Sequence, residues 1–324
     1  MISVCSTIHG SPKACSAFIH SIYENATGED FEVVLISDRN SPEEENMLWR
    51  LAASFSRLSL LFSPRSYQIR RNKDMLPFWA EVYGMEIAEY ASRQLDRYKA
   101  GEIDLWLQYA HGLNLAAQLA TGDFLLLTPA DFVVMCDLHE LNQALERKVA
   151  EASGRFFGHF SLVAPFDRTP TSLRDVVLGT ELFSHEYDFV RVYLDSRHSK
   201  TSEYPITPGI DRYWPFNHGV RIVDQVTFQD VGGLMDKFLS KPGPTDIFNR
   251  MARFTAYGKE EARRKRSIEE LTGFRARMAS VPFDDPEPIE YLYPNPCDGD
   301  AVRKMQYAEE KWVREHEPTF AEVI

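Results

Sequence analysis

Apolar positions in the first ~135 residues alternate between two periods. Ile2 to Cys5, Phe31 to Ile36, Arg57 to Phe62 and Asp123 to Leu127 are short runs rich in branched and aromatic side chains, and they read as buried strands. Between the first two, Ala14, Phe18, Ile19 and Ile22 fall on one helical face, with Pro12 in the first turn. Before the fourth, Leu113, Ala116, Ala117 and Ala120 do the same, and Gly122 marks the end of that helix. Strands alternating with helices predict an α/β fold with a Rossmann-like, mainly parallel central sheet and helices on both faces.

The piece from Ser63 to Leu105 is too long for a simple connection. Its Phe78, Trp79, Val82, Met85, Ile87 and Tyr90 predict an added amphipathic helix, and Arg65, Arg70, Arg71 and Lys73 at its front suit either an anionic ligand or a solvated face. Strand-like runs return at Phe156 to Val163 and Arg221 to Phe228. After Gly258 the chain turns to KEEARRKRSIEE, then to proline-rich stretches and a final polar helix. The expected organisation is one domain over 1–258, with 1–135 as its first half (insertion at 63–105) and 136–258 as its second. A helical and proline-rich appendage follows over 259–324.

Composition narrows the function. With 36 Lys and Arg against 48 Asp and Glu, the 324-residue chain carries a formal charge of -12, which speaks against general nucleic acid binding. No apolar run approaches the ~20 residues that cross a bilayer. The opening MISVCSTIHGSP lacks the charged and apolar regions of a secretory signal, and the four cysteines show no CxxC pair, so a cytoplasmic location is expected. The basic run Arg263 to Arg266 leaves peripheral contact with the inner face of a membrane open; flanking glutamates favour a solvated helix face instead.

In an open α/β sheet ligands bind beyond the carboxyl ends of the strands. The loops there supply Thr7, Ile8 and His9, then Ser37 and Asp38, then Thr128 to Asp131. A carboxylate at Asp38 can accept the imide N–H of uracil or thymine, or a ribose hydroxyl, and His9 can stack on a base. Turn chemistry is the plainer reading of Asp38, because Asn40, Ser41 and Pro42 follow it. Asp131, past an apolar strand, suits a hard divalent ion that also holds a diphosphate. Its alternative, capping the next helix, is already served by Asp137 and Glu140. Asp246, in GPTDIFNR, can act as a general base or simply as an N-cap.

Four segments, in order, resemble the family-2 glycosyltransferases of the GT-A fold. SVCSTIHGSP is similar to the family's opening SVVxPTYNRP, with His9 at the aromatic position, and DFEVVLISDRNSPEE is similar to FEVIVVDDGSxD, placing Asp38 at the base-binding aspartate. GLNLAAQLATGDFLLLTPAD resembles RNxGxxxAxGDYIxFLDxD, with Asn114, Ala120 and Gly122 in register. DVGGLMDKF and TDIFNR resemble the acceptor-side GGFDExF and EDxDLxxR segments, placing Asp246 at the catalytic base.

The resemblance implies transfer of a sugar from a nucleotide diphosphate sugar, preferably a UDP-sugar, to the hydroxyl of a saccharide or lipid-linked acceptor. It further implies inversion at the anomeric carbon, with Asp246 as base and a Mn2+ or Mg2+ cofactor. Donor contacts fall on Thr7, Ile8, His9, Asp38, Asn114, Ala130 and Asp131, acceptor contacts on Gly232, Gly233 and Thr245, and metal ligands on Asp131, with His218 as an added imidazole. The departures are specific. The first carboxylate of Asp-x-Asp is Pro129, the arginine of the RN pair is Leu113, and the acidic pair is Thr245 and Asp246. Leu113 leaves a diphosphate needing another cation, for which Arg70, Arg71 and Lys73 are the supply. The same losses keep open a non-catalytic nucleotide-binding or scaffold protein on a degenerate fold of this kind.

Overall fold

The computed structural model describes residues 1–9, 12–38, 41–105, 109–130, 132–134, 136–151, 156–163, 220–239, 268–274, 276–280, 290–294 and 299–316. Asp131, His218, Thr245 and Asp246, and the basic run 263–266, lie outside them.

The central sheet has the order β3-β2-β1-β4-β8-β6. Its parallel half is β1 (Ile2–His9), β2 (Phe31–Asp38), β3 (Leu58–Phe62) and β4 (Phe124–Pro129). β8 (Arg221–Asp224) runs antiparallel to β4, and β6 (Phe157–His159) antiparallel to β8. β1 and β4 are buried on both faces, which is why they read as continuous apolar runs. The chain leaves β1 towards β2 and β3, then returns to β4 on the other side of β1. The crevice between the carboxyl ends of β1 and β4 is therefore the switch point where such sheets bind ligands.

Helices cover both faces. On one, α1 (Pro12–Asn25), α2 (Pro42–Ser54) and α7 (Leu138–Glu151) pack Phe18, Ile22, Leu48, Leu141 and Leu145 against Ile2, Val4, Val33 and Leu126. On the other, α6 (Tyr109–Leu119) packs Leu113, Ala116 and Ala117 against Cys5, Val34 and Leu125. The α6 contact is close because Gly112 has no side chain: a Cβ there would meet the Thr7 methyl at 2.2 Å.

The 63–105 piece holds three helices rather than one: α3 (Arg65–Asp74), α4 (Leu76–Tyr83) and α5 (Met85–Ala100). Pro77 starts a new helix just after α3, and Gly84, at φ 93, separates α4 from α5 with a backbone that L side chains avoid. The run Arg221 to Phe228 is also not one strand. β8 stops at Asp224, whose carboxylate caps α8 (Gln225–Asp230). The run Phe156 to Val163 divides into β6 and β7 (Ser161–Val163).

Residues beyond 258 join the body. α9 (Ile268–Thr272) buries Ile268 and Leu271 in the core of the α1 face. β9 (Arg277–Ser280) pairs with both β5 (Phe132–Val134) and β7 in a second sheet of order β5-β9-β7. α10 (Gly299–His316) lies against α4. Among the described residues no helix is long and apolar enough to cross a membrane.

At the amino end of β2, Asp30 and His139 form a pair at 2.7 Å. Its hydrogen bond to Asp30 raises the His139 pKa. Burial works against the Asp30 charge, yet the hydrogen bonds from His139, its own backbone and Asn142, with the His139 charge, together outweigh it and the carboxyl stays below its usual range. A raised imidazole contributes stability in full below its ordinary value of 6.5 and loses it as pH rises through the higher folded value. A lowered carboxyl contributes above its ordinary 3.8 and loses it as pH falls further. The melting-temperature difference between wild type and His139→Gln will thus be larger at pH 6 than at pH 9; equal differences at the two would reject the pairing.

Candidate nucleotide site at the carboxyl edge of the sheet

β1 and β2 end level, with His9 opposite Asp38 in the register, and Thr7 stands opposite Pro129 of β4. Parallel pairing alone thus brings the loops named from sequence to one edge. Ile8 is buried in the core of the α1 face, and Ala130, just past β4, is buried as well. Thr7 is buried against α6, and its Oγ1 has no hydrogen-bond partner among the described residues.

Asp38 is half-buried and lines a small open cleft together with Ile36, Ser63, Gln68, Arg71, Asn72 and His111. It does not cap the next helix. That role belongs to Ser41, which accepts from the Glu44 amide at 3.3 Å while Glu44 accepts from the Ser41 amide at 2.6 Å. Asn40, on which the local-turn reading of this carboxylate rests, lies outside the described residues.

The insertion supplies one wall. The Ser63 amide donates to the Ser37 carbonyl at 2.8 Å, extending β2's edge into α3. Gln68 donates to the Ser63 carbonyl and accepts from the Tyr98 hydroxyl, each at 3.0 Å, while Arg65 covers the Tyr98 ring at 4.3 Å. Asn72, only 2% exposed, donates to the Gln68 carbonyl, and its Oδ1 has no partner among the described residues. Of the basic residues expected to face a ligand, Arg71 lines the cleft, whereas Lys73 pairs with Asp96 at 2.6 Å and Arg65 with Asp104 at 3.5 Å, and Arg70 is exposed.

A four-residue chain that sequence reasoning did not find closes the cleft. Arg71 contacts Asp236 at 3.0 Å, Asp236 contacts His111 Nδ1 at 2.7 Å, and His111 Nε2 lies 3.0 Å from the Tyr67 hydroxyl. Burial works against the Asp236 charge, but the His111 hydrogen bond and the Arg71 guanidinium prevail and hold its carboxyl below the usual range. The ionised carboxylate accepts a hydrogen bond from Nδ1–H, so in the neutral imidazole Nε2 accepts from the Tyr67 hydroxyl. The two rings stack at 5.9 Å and 26°. Only the position of Asp236 inside GGLMDKF hinted at this, since its partners are 125 and 165 residues away.

Asn114 is engaged with backbone. Its Oδ1 accepts from the Leu234 amide and its Nδ2 donates to the Leu234 carbonyl, both at 2.8 Å. Gly232 and Gly233, at φ 75 and 73, end α8 in the left-handed region, and a Cβ on Gly233 would crowd Asn114 Oδ1 at 2.8 Å. All three residues therefore shape the loop 231–239. Leu113 points into the core, so the position of the missing arginine is filled by packing. A different cation is buried nearby: Arg221 opens β8 opposite Leu127, close to Tyr109, and burial brings its guanidinium down to about 9.

The chain is similar to S. aureus TarS. Residues 1–349 of that protein, in complex with UDP, match at 11% identity and a TM-score of 0.46, over 95% of this chain and 65% of that one. The complex with UDP-GlcNAc matches at 12% identity and 0.43, over 95% and 66%. A mycobacterial protein matches at 11% identity and 0.35, over 87% and 65%. This chain thus spans just under two thirds of the length of each. No family model and no curated protein matches the sequence.

Proposed function

We propose that this protein is a glycosyltransferase that takes a sugar from a nucleotide diphosphate sugar, with uracil as the preferred base, and delivers it to an acceptor hydroxyl. The observation that carries the reading is the Asp38 carboxylate at the end of β2. It lines a cleft at the sheet's carboxyl edge. Asp38 accepts the N3–H of uracil, a proton cytosine lacks at that position. Arg71, ion-paired with Asp236, and His111 line the same cleft as polar groups for the nucleotide.

In this reading the segment after loop 231–239 presents Asp246 to the acceptor, where it removes the hydroxyl proton. Attack from the face opposite the leaving nucleoside diphosphate inverts the anomeric centre. Among the described residues no three His, Cys, Asp or Glu side chains converge, so those residues alone build no metal site. A divalent ion, which when bound offsets charge on a leaving diphosphate, would be held through Asp131, with His218 as the imidazole.

The test is a thermal-shift panel of UDP, GDP, dTDP, CDP, UDP-sugars and GDP-sugars, each with and without manganese, in wild type, Asp38→Ala and Asp131→Ala. UDP will raise the wild-type midpoint and CDP will not. Asp38→Ala will weaken UDP binding roughly ten- to hundredfold, the range for a hydrogen bond to a charged group. A manganese-dependent part of the shift will disappear in Asp131→Ala. Absence of a shift with every nucleotide would sink the transferase reading in favour of a non-catalytic fold.

A further inference from the structure

Loop 231–239 is held along its length from two sides. On the cleft side, Asn114 clamps Leu234, and Arg71 and His111 hold Asp236. On the far side the anchors come from the insertion and the C-terminal helix. Trp79 of α4 donates its indole N–H to the Lys237 carbonyl at 2.8 Å. The Lys237 ammonium sits over the rings of Trp312 and Phe78, 4.2 and 5.2 Å from their centroids, and Phe238 packs on the same two rings. The last anchor is a polarised chain. The Leu239 amide donates to the Tyr83 hydroxyl at 2.7 Å, and that hydroxyl donates to the buried Glu309 carboxylate at 2.5 Å. Because Glu309 consumes the hydroxyl's only proton, the Tyr83 lone pair is directed to Leu239.

The chemistry explains why an otherwise separate helix joins the site. A buried carboxylate retains its place only when its acceptor sites are filled, so Glu309 ties α10 to α4, and through Tyr83 to the loop. Leu239 is the last described residue before 240–267, the segment that carries Thr245 and Asp246.

We propose that α4 and α10 form a brace for the exit of loop 231–239, with Tyr83 as the positioning residue that fixes the backbone of that loop at Leu239. The functional consequence rests on the transferase reading given above; the brace does not. The experiment is amide hydrogen exchange on the full chain in wild type, Tyr83→Phe and Glu309→Gln, with and without UDP, alongside UDP affinity by calorimetry. Tyr83→Phe will speed exchange of peptides covering 231–239 at least about tenfold while those of β1, β4 and α6 stay within twofold of wild type. UDP affinity will also stay within twofold.

Glu309→Gln, whose amide oxygen still accepts from the Tyr83 hydroxyl, will remain near wild type, an outcome that general loss of packing would not produce. Unchanged exchange at 231–239 in Tyr83→Phe, or equal acceleration throughout the chain, overturns the brace. A tenfold loss of UDP affinity in Tyr83→Phe also overturns it, since the hydroxyl would then belong to the donor cleft. Failure of wild type to bind UDP removes the transferase reading and leaves the comparison of exchange rates without UDP as the test of the brace.

Discussion

Asp246→Asn will leave UDP affinity within twofold of wild type and will lower sugar transfer by roughly 100- to 10,000-fold, the range attributed to general acid–base catalysis. The substitution keeps volume and hydrogen bonding and removes only the capacity to take a proton near neutral pH. A base is needed because an acceptor hydroxyl is a weak nucleophile until its proton leaves during attack. An Asp at this place in the chain is open to the rival duty of helix capping, and the same variant separates the two. Asparagine is as good an N-cap as aspartate, so a cap would show little change in either stability or rate. Measured transfer from a UDP-sugar within tenfold of wild type would remove Asp246 from the catalytic role.

Asp224→Ala has the largest expected effect on stability, about 3 kcal/mol. This carboxylate is 5% exposed and serves two elements at once. Oδ2 accepts from the Phe156 amide, which leads into β6, and Oδ1 accepts from the Thr227 amide in the first turn of α8, both at 2.8 Å. Truncation leaves both amides buried without that acceptor, at about 1–3 kcal/mol each, and removes a negative charge from a helix N-terminus. Asp224→Asn retains an acceptor and will lose about half as much. Thermal unfolding followed by circular dichroism checks this, and a loss below about 1 kcal/mol for alanine would contradict the double capping role.

The same Asp224 shows where the sequence was hard to read. RIVDQVTF alternates apolar and polar residues well enough to pass for a strand throughout, but an Asp after three strand residues, with the Thr227 amide in reach, turns the chain into α8 instead. The parallel half was legible for the opposite reason. Val33 to Ile36 and Phe124 to Leu127 are buried on both faces, and no amphipathic helix tolerates such unbroken apolar runs on its solvent side. The insertion was legible as an insertion but not as three helices, although Pro77 and Gly84 mark its two breaks.

For the site, the carboxyl-edge rule was enough to locate Asp38, because strand ends in a parallel sheet come together whatever their separation in sequence. It gave no access to Tyr67, His111 and Asp236. These come from α3, α6 and the loop after α8, and none follows a sheet strand directly. Asn114 and Leu113 show a related limit. Asn114 matches its motif position and Leu113 departs from it, yet the first side chain clamps backbone and the second fills the core.

The second sheet has a consequence for how the protein is made. β5 lies immediately after Asp131, and its antiparallel partner β9 pairs Val133 with Ala279, about 145 residues later. At a ribosomal rate of about 5–20 residues per second, β5 waits roughly 7–30 s for that partner to be synthesised. The parallel half of the central sheet can assemble on the ribosome once residue 129 has emerged, whereas the second sheet is completed only once residue 280 has followed. A chain released before residue 280 would therefore have the strands that flank Asp38 and lack the full pairing of β5 with β9.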